Sequence, residues 1–272
     1  PISMNNVTGK ILGLLNNPRD PGEWDRRGLV IGDVQSGKTA NYLGLVARAA
    51  DAGYKFIVVI AGIHNNLRKQ TQERVDEGFV GRNNNGNLLG VGLRNKGRSF
   101  PASLTNPKSD FTIKQAKATN IKLNSITDPV IVVIKKNVKT LSALHEWLKN
   151  FNTAPGSEHI PDIPMLMIDD EADHASINTS KEHNDPTRTN QELRRILKLF
   201  RQKSYIGYTA TPFANIFINP DSEEEMLGDD LFPRDFIYCL DSPTDYFGPQ
   251  KVFLDEASSR KIVREIYDVE EH

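Results

Sequence analysis

One cysteine, Cys239, in 272 residues leaves no partner for an internal disulfide and no thiolate set for a cysteine metal cluster, which fits a reducing cytoplasm. No apolar run approaches the length of a membrane span. The opening Pro1-Ile2-Ser3-Met4-Asn5-Asn6 has neither the basic cluster nor the apolar core of a secretory signal, so no membrane partner is expected. A first residue that is proline rather than methionine suggests a fragment. Internal repeats and long low-complexity tracts are missing too. What remains, 38% hydrophobic and 25% charged, is the composition of a globular chain long enough for one large α/β domain, with or without an appendage. The net charge of −1 conceals an asymmetry. Between Arg82 and Asp128 lie eight Lys/Arg against two Asp, whereas Asp221 to His272 holds fifteen Asp/Glu against five Lys/Arg. The basic part suits phosphates and the acidic part repels them; two solvated surfaces explain the clusters equally well.

Gly32-Asp33-Val34-Gln35-Ser36-Gly37-Lys38-Thr39 fits the pattern G-x-x-x-x-G-K-[ST] at every fixed position. Arg27–Ile31 before it reads as a short buried strand. Thr39–Ala50 after it reads as a helix, with Leu43, Val46, Ala47 and Ala50 at i, i+3, i+4 and i+7. Strand, glycine loop and helix is the order that a phosphate-binding loop needs. Glycines let backbone N–H groups wrap the phosphates and the helix N-terminus favours their charge. Lys38 neutralises the β and γ oxygens, and the Thr39 hydroxyl ligates Mg²⁺. A GTPase is disfavoured because the base-reading N-K-x-D is incomplete: Asn95-Lys96-Gly97-Arg98 lacks the Asp.

Lys55–Ala61 and Val130–Ile134 are continuous β-branched runs of the kind buried on both faces of a parallel sheet. Ile163–Asp169 and Ser204–Thr209 read as further strands. Helices are expected from an Asn65 or Asn66 cap through Val75, over Thr140–Asn150 with Leu141, Leu144 and Leu148 on one face, and over Gln191–Gln202. Trp147 and Phe200 belong to the core. Residues 82–128 lose periodicity and read as an insertion with one short helix or hairpin. Strands alternating with helices imply a doubly wound parallel sheet over residues 1–220, with ligands beyond the carboxyl ends of the strands. Residues 221–272 read as an acidic linker or the start of a following domain, with a strand at Phe236–Leu240 and a helix at Glu256–Tyr267.

Asp169-Asp170-Glu171-Ala172-Asp173-His174 places carboxylates at the exit of a buried strand. One Asp is needed for Mg²⁺ and the adjacent Glu to polarise the attacking water. Asp170 takes the metal role because it shares a strand face with Ile168, with Asp169 as the alternative; Glu171 takes the water. His174 reads as a surface loop residue. Thr209-Ala210-Thr211-Pro212 ends the later strand with two hydroxyls.

In this order, Gly-Lys-Thr, Asp-Glu-Ala-Asp and Thr-Ala-Thr-Pro resemble the first RecA-like domain of the superfamily-two helicases and translocases, over about Leu29–Asn219. The resemblance implies a RecA-like P-loop domain that binds and hydrolyses ATP with Mg²⁺, as the motor of a protein acting on nucleic acid, DNA ahead of RNA. It implies nucleic-acid contacts at Asn66, Arg68 and Gln70, and at Lys135 in the next such motif, with Thr209, Ala210 and Thr211 coupling hydrolysis to movement. Gly32–Asn41, Asp169–Ser176 and Tyr208–Asn219 look, more narrowly, like bacterial ATPases with a Z-one domain, often described as endonucleases of restriction or phage-defence systems. No Glu here is followed two places later by Lys, so half of a common nuclease motif is missing. A glutamine motif upstream of the P-loop and a second RecA-like domain are also missing. The family's arginine finger therefore has to come from another domain or a partner chain, and the chain alone should be a weak ATPase. A nucleotide-dependent switch or scaffold controlling protein assembly is the alternative function.

Overall fold

The computed structural model describes residues 2–33, 37–95, 99–154, 156–160, 162–174, 176, 187–216, 218, 223–224 and 228–241. Its strands are β1 (Trp24–Ile31), β2 (Phe56–Ala61), β3 (Ala102–Ser103), β4 (Val130–Ile134), β5 (Met165–Asp170), β6 (Gln202–Thr209), β7 (Glu223–Glu224), β8 (Gly228–Asp229) and β9 (Phe236–Cys239). Seven of them form one sheet in the order β3-β4-β2-β5-β6-β1-β9, and every pair in it is parallel; β7 and β8 pair antiparallel outside it. The helices are α1 (Ile2–Leu14), α2 (Lys38–Ala52), α3 (Asn65–Val75), α4 (Ile113–Ala118), α5 (Val138–Asn152), α6 (Arg188–Lys198) and α7 (Phe213–Ile216). Among the described residues no helix is long and apolar enough to cross a membrane.

Side-chain alternation splits the strands between two cores. Phe56, Val58 and Ile60 of β2, with Val130, Val132, Met165 and Met167, pack under α5 and α6 against Leu141, Leu144, Trp147, Leu148, Leu193, Ile196 and Phe200. Phe56 stacks on Phe200, with centroids 5.6 Å apart. Ile57, Val59, Leu166, Ile168 and Ile206 face the other way, onto Ile11 and Leu15 from the α1 side and Tyr42, Leu45, Val46 and Ala49 of α2. Burying each such aliphatic side chain contributes about 1.5–3 kcal/mol, and both faces have to be covered for a parallel sheet to stand. The expected doubly wound sheet is present.

The differences from expectation are local. The helix α1 was not foreseen. The helix expected to reach Gln202 ends at Lys198, because β6 begins at Gln202, whose amide donates to the carbonyls of Asp20 and Gly22 at 3.1 Å each. The cap of α3 is His64 rather than Asn65 or Asn66, and the helix runs on into a π turn at Asp76–Val80. The 82–128 insertion supplies the edge strand β3 as well as the short helix α4, and sends Leu104, Phe111, Ala116 and Leu123 into the core. The strand near Phe236 lies beside β1, so the sheet extends past residue 220, where a boundary had been expected. The helix expected at 256–267 lies outside the described residues.

Gly28 of β1 is the Cα partner of Phe236, whose ring covers it so closely that a Cβ there would run into the ring. Gly28→Ala should lower stability by about 1–3 kcal/mol in urea unfolding, and by much less in a Phe236→Ala background. Equal losses in both backgrounds would mean that Phe236 does not pack on β1.

Candidate functional site

The strands β5, β6 and β1 are neighbours, so their carboxyl ends carry the acidic motif, the threonine motif and the phosphate loop side by side. The Gly32 amide continues the sheet by donating to the Thr209 carbonyl at 3.0 Å. Val34, Gln35 and Ser36 lie outside the described residues. Gly37 caps α2 at φ 84°, a left-handed conformation that suits glycine. Lys38, the first residue of α2, turns its Nζ to the Gly32 and Asp33 carbonyls, at 2.9 Å each. Burial lowers its pKa, and the negative charges of Asp170, Asp33, Asp173 and Glu171 work against that shift. Thr39 lines the same cleft.

The two adjacent aspartates of β5 point in opposite directions. Asp169 is fully buried on the α5/α6 face, with Oδ1 2.8 Å from Lys136 Nζ and Oδ2 accepting from the Tyr205 hydroxyl at 2.7 Å. Asp170 lies on the α2 face with Ile168 and opens on the cleft; Tyr42 of α2 donates to its Oδ2 at 3.3 Å. Burial and the neighbouring Glu171 charge raise the Asp170 pKa, against the Tyr42 hydrogen bond and a backbone hydrogen bond from Glu171. Glu171 adopts φ 54°, a left-handed backbone that costs a non-glycine residue about 1–2 kcal/mol. Lys136 Nζ donates to the carbonyls of Asp170 at 2.9 Å and Glu171 at 2.6 Å.

Asp173 accepts from Thr209 Oγ1 at 2.6 Å and from Thr211 Oγ1 at 2.5 Å. Burial alone would raise its pKa; these two hydrogen bonds, with a backbone hydrogen bond and the neighbouring His174, together hold the carboxyl below its ordinary value. The acidic turn and the threonine motif are thus bonded to each other, and Asn215 of α7 adds a bond to the Ala172 carbonyl at 3.2 Å. His174 is an exposed loop residue, with Nε2 3.5 Å from Asp173.

Gly37, Lys38, Thr39, Asp170, Glu171, Asp173 and Thr209–Thr211, with Ala210 between the threonines, line one cleft of about 1160 Å³. Arg74, Glu77 and Arg94 line it too, from α3, the π turn and the insertion. Thr39 and Asp170 offer it hard oxygen donors of the kind that suits Mg²⁺.

The expected nucleic-acid residues do not all reach solvent. Asn66 and Gln70 are exposed, and Lys135 is half-buried. Arg68 is a correction: it is buried, and its guanidinium donates to the Asn106 and Pro107 carbonyls at 3.1 Å each, so it fastens the insertion to α3. Tyr42, Arg74 and Arg94 had not been singled out, and Lys136 and Asp173 had entered only as members of their motifs, without a role of their own. Strand alternation could have found Lys136, since continuing β4 by two residues from Ile134 puts it on the face of Asp169.

Fold and site together define a helicase-like RecA domain of the P-loop class. The chain belongs to the family described as the Type III restriction enzyme, res subunit, whose sequence model matches residues 10–214. No curated protein matches the chain. Among solved structures it is similar to one titled ATP-dependent Type ISP restriction-modification enzyme LlaBIII bound to DNA, at 15% identity and a TM-score of 0.43. That match covers 78% of this chain and 14% of the other. It is also similar to FtsY from Mycoplasma mycoides, at 14% identity and a TM-score of 0.25, covering 72% of this chain and 59% of that one. The chain thus spans a small part of the first of these structures.

Lys136→Met would strand the Asp169 charge in the core and should cost about 3–5 kcal/mol of stability in denaturant unfolding. Lys136→Met/Asp169→Asn should recover most of that loss. A double variant no more stable than the single would mean that the buried charge is not what Lys136 offsets.

Proposed function

We propose that this chain is the ATP-binding and ATP-hydrolysing motor domain of a cytoplasmic helicase- or translocase-like protein that acts on nucleic acid, DNA ahead of RNA, in a restriction or phage-defence setting. The observation that carries this reading is the convergence of Lys38, Thr39, Asp170, Glu171 and the Asp173–threonine pair on one cleft. Membership of a restriction-enzyme family supports the setting.

Each group has a task in that reading. The phosphates of ATP lie over Gly37 at the N-terminus of α2, and Lys38 exchanges its bonds to the Gly32 and Asp33 carbonyls for phosphate oxygens. Thr39 and Asp170 would hold Mg²⁺, which would supply positive charge to the phosphates. The Glu171 carboxylate orients a water toward the γ-phosphorus and accepts its proton. The bonds from Thr209 and Thr211 to Asp173 carry changes at the γ-phosphate site to α7 and the chain beyond it. Asn66, Gln70 and Lys135 meet the nucleic-acid backbone. The arginine finger comes from a second RecA-like domain or a partner chain. Arg194 is buried, whereas Arg188 is at the surface.

Lys38→Ala should weaken ATP binding about 10- to 100-fold without changing the fold, as measured by nucleotide titration and circular dichroism. Wild-type affinity in that variant would rule out the loop assignment. Glu171→Gln should keep Mg-ATP binding and lower turnover about 10²–10⁴-fold, while Asp170→Asn weakens binding and alters the Mg²⁺ dependence. If Asp169→Asn has the metal phenotype instead, the roles of the two aspartates are reversed.

Without an arginine finger, which contributes on the order of a thousandfold or more, residues 1–272 alone should bind Mg-ATP yet hydrolyse it slowly with or without DNA. A DNA titration of steady-state ATPase activity checks this, and brisk DNA-stimulated turnover by the isolated chain would contradict it.

A further inference from the structure

Glu171 is held from two neighbouring strands. Its left-handed backbone at φ 54° is held within the acidic motif by the Glu171 amide donating to Asp170 Oδ1 at 3.1 Å and the His174 amide donating to the Glu171 carbonyl at 2.9 Å, and from beyond the motif by Lys136. Lys136, two residues past β4, passes its stem under the exit of β5. Its Nζ donates to the carbonyls of Asp170 and Glu171, at 2.9 and 2.6 Å, with Asp169 as the counter-charge at 2.8 Å. All three N–H donors of this buried ammonium are thereby used, one on the Asp169 carboxylate and two on the carbonyls of the turn that carries Glu171. The Lys136 amide in turn donates to the Gly62 carbonyl at 2.7 Å, just past the end of β2. Gly62 lies at φ 58°, and a Cβ there would stand 2.9 Å from Glu171 Oε2 and 3.1 Å from Leu67 Cδ1, so a side chain at this position would push the carboxylate from its place. Backbone and side chain of Glu171 are therefore fixed by two different residues, which are themselves hydrogen-bonded.

We propose that Lys136 and Gly62 are positioning residues for Glu171: Lys136 fixes its backbone through the two carbonyls, and Gly62 fixes the place of its carboxylate. The loops that follow β2 and β4 thereby set the angle at which the carboxylate meets the attacking water. This rests on the reading of Glu171 as the group that polarises that water. Neither residue touches nucleotide, and each acts through Glu171.

The test uses the complete protein, with Mg²⁺ and a non-hydrolysable ATP analogue for binding and ATP for turnover. Lys136→Met/Asp169→Asn removes the carbonyl bonds without stranding a buried charge, and Gly62→Ala crowds the carboxylate and strains its own loop while keeping the Lys136 ammonium. Each should leave the Kd for the analogue within about threefold while kcat per bound nucleotide falls on the order of 100-fold. Adding Glu171→Gln to either should cost little more, since its effect is already lost. A merely structural role would lower the folded fraction and leave kcat per bound nucleotide unchanged. Wild-type kcat in the lysine double variant, or in Gly62→Ala if the double variant does not fold, overturns the proposal while the ATPase reading stands. A wild-type protein that binds no Mg-ATP, or a Glu171→Gln variant that turns over normally, overturns both.

Discussion

Every strand of the main sheet runs in the same direction, and the site depends on that constraint. Residues 32–33 and 37–39, 169–174 and 209–211 are far apart in sequence, yet parallel pairing of β5, β6 and β1 delivers all of them to one edge. The register fixes them at one height, with Ile31 opposite Thr209 and Asp170 opposite Tyr208. Backbone bonds carry the pairing beyond the strands, from Gly32 to Thr209 and from Ala172 to Tyr208, each at 3.0 Å. Buried amides and carbonyls have to be paired, so a slip of one residue would break this ladder and move the carboxylates away from the phosphate loop.

Side-chain alternation then divides the labour between adjacent residues. Asp169 points to the α5/α6 face, where Lys136 and Tyr205 neutralise and bond it. Asp170 points to the α2 face, where the phosphate loop lies. One acid serves the core and the next serves the cleft. Gly207 of β6 leaves room for this arrangement, because a Cβ there would lie 2.9 Å from the Ala172 Cβ and 3.0 Å from Leu29 Cδ1. Asp173, fixed by two threonine hydroxyls, completes a rim in which acidic turn, threonine motif and α7 are bonded together.

Periodicity and spacing made much of this legible. The β-branched runs of β2 and β4 and the leucines of α5 lie where their patterns put them, because a dry parallel sheet under amphipathic helices leaves little choice of face. The face shared by Ile168 and Asp170 followed from the same period of two. Features made by distant contacts were not legible. The helix α1 mixes polar and apolar residues without a clear helical stripe, and it is held by Ile11, with Leu15 just beyond its end, packing into the α2 core. The edge strand β3 has only two residues, and β9, though expected as a strand, gave no sign in the sequence that it would join the main sheet beside β1. Arg68 looks like a surface contact until the Asn106 and Pro107 carbonyls fold over it.

A crystal structure of the complete protein with Mg²⁺ and a non-hydrolysable ATP analogue tests the central claim most directly. The account predicts the phosphates at the N-terminus of α2 within reach of Lys38, Mg²⁺ between Thr39 and Asp170, and a water between Glu171 and the γ-phosphorus, with Asp169 still on Lys136. Nucleotide bound elsewhere, or Mg²⁺ on Asp169 with Asp170 turned from the cleft, would contradict it.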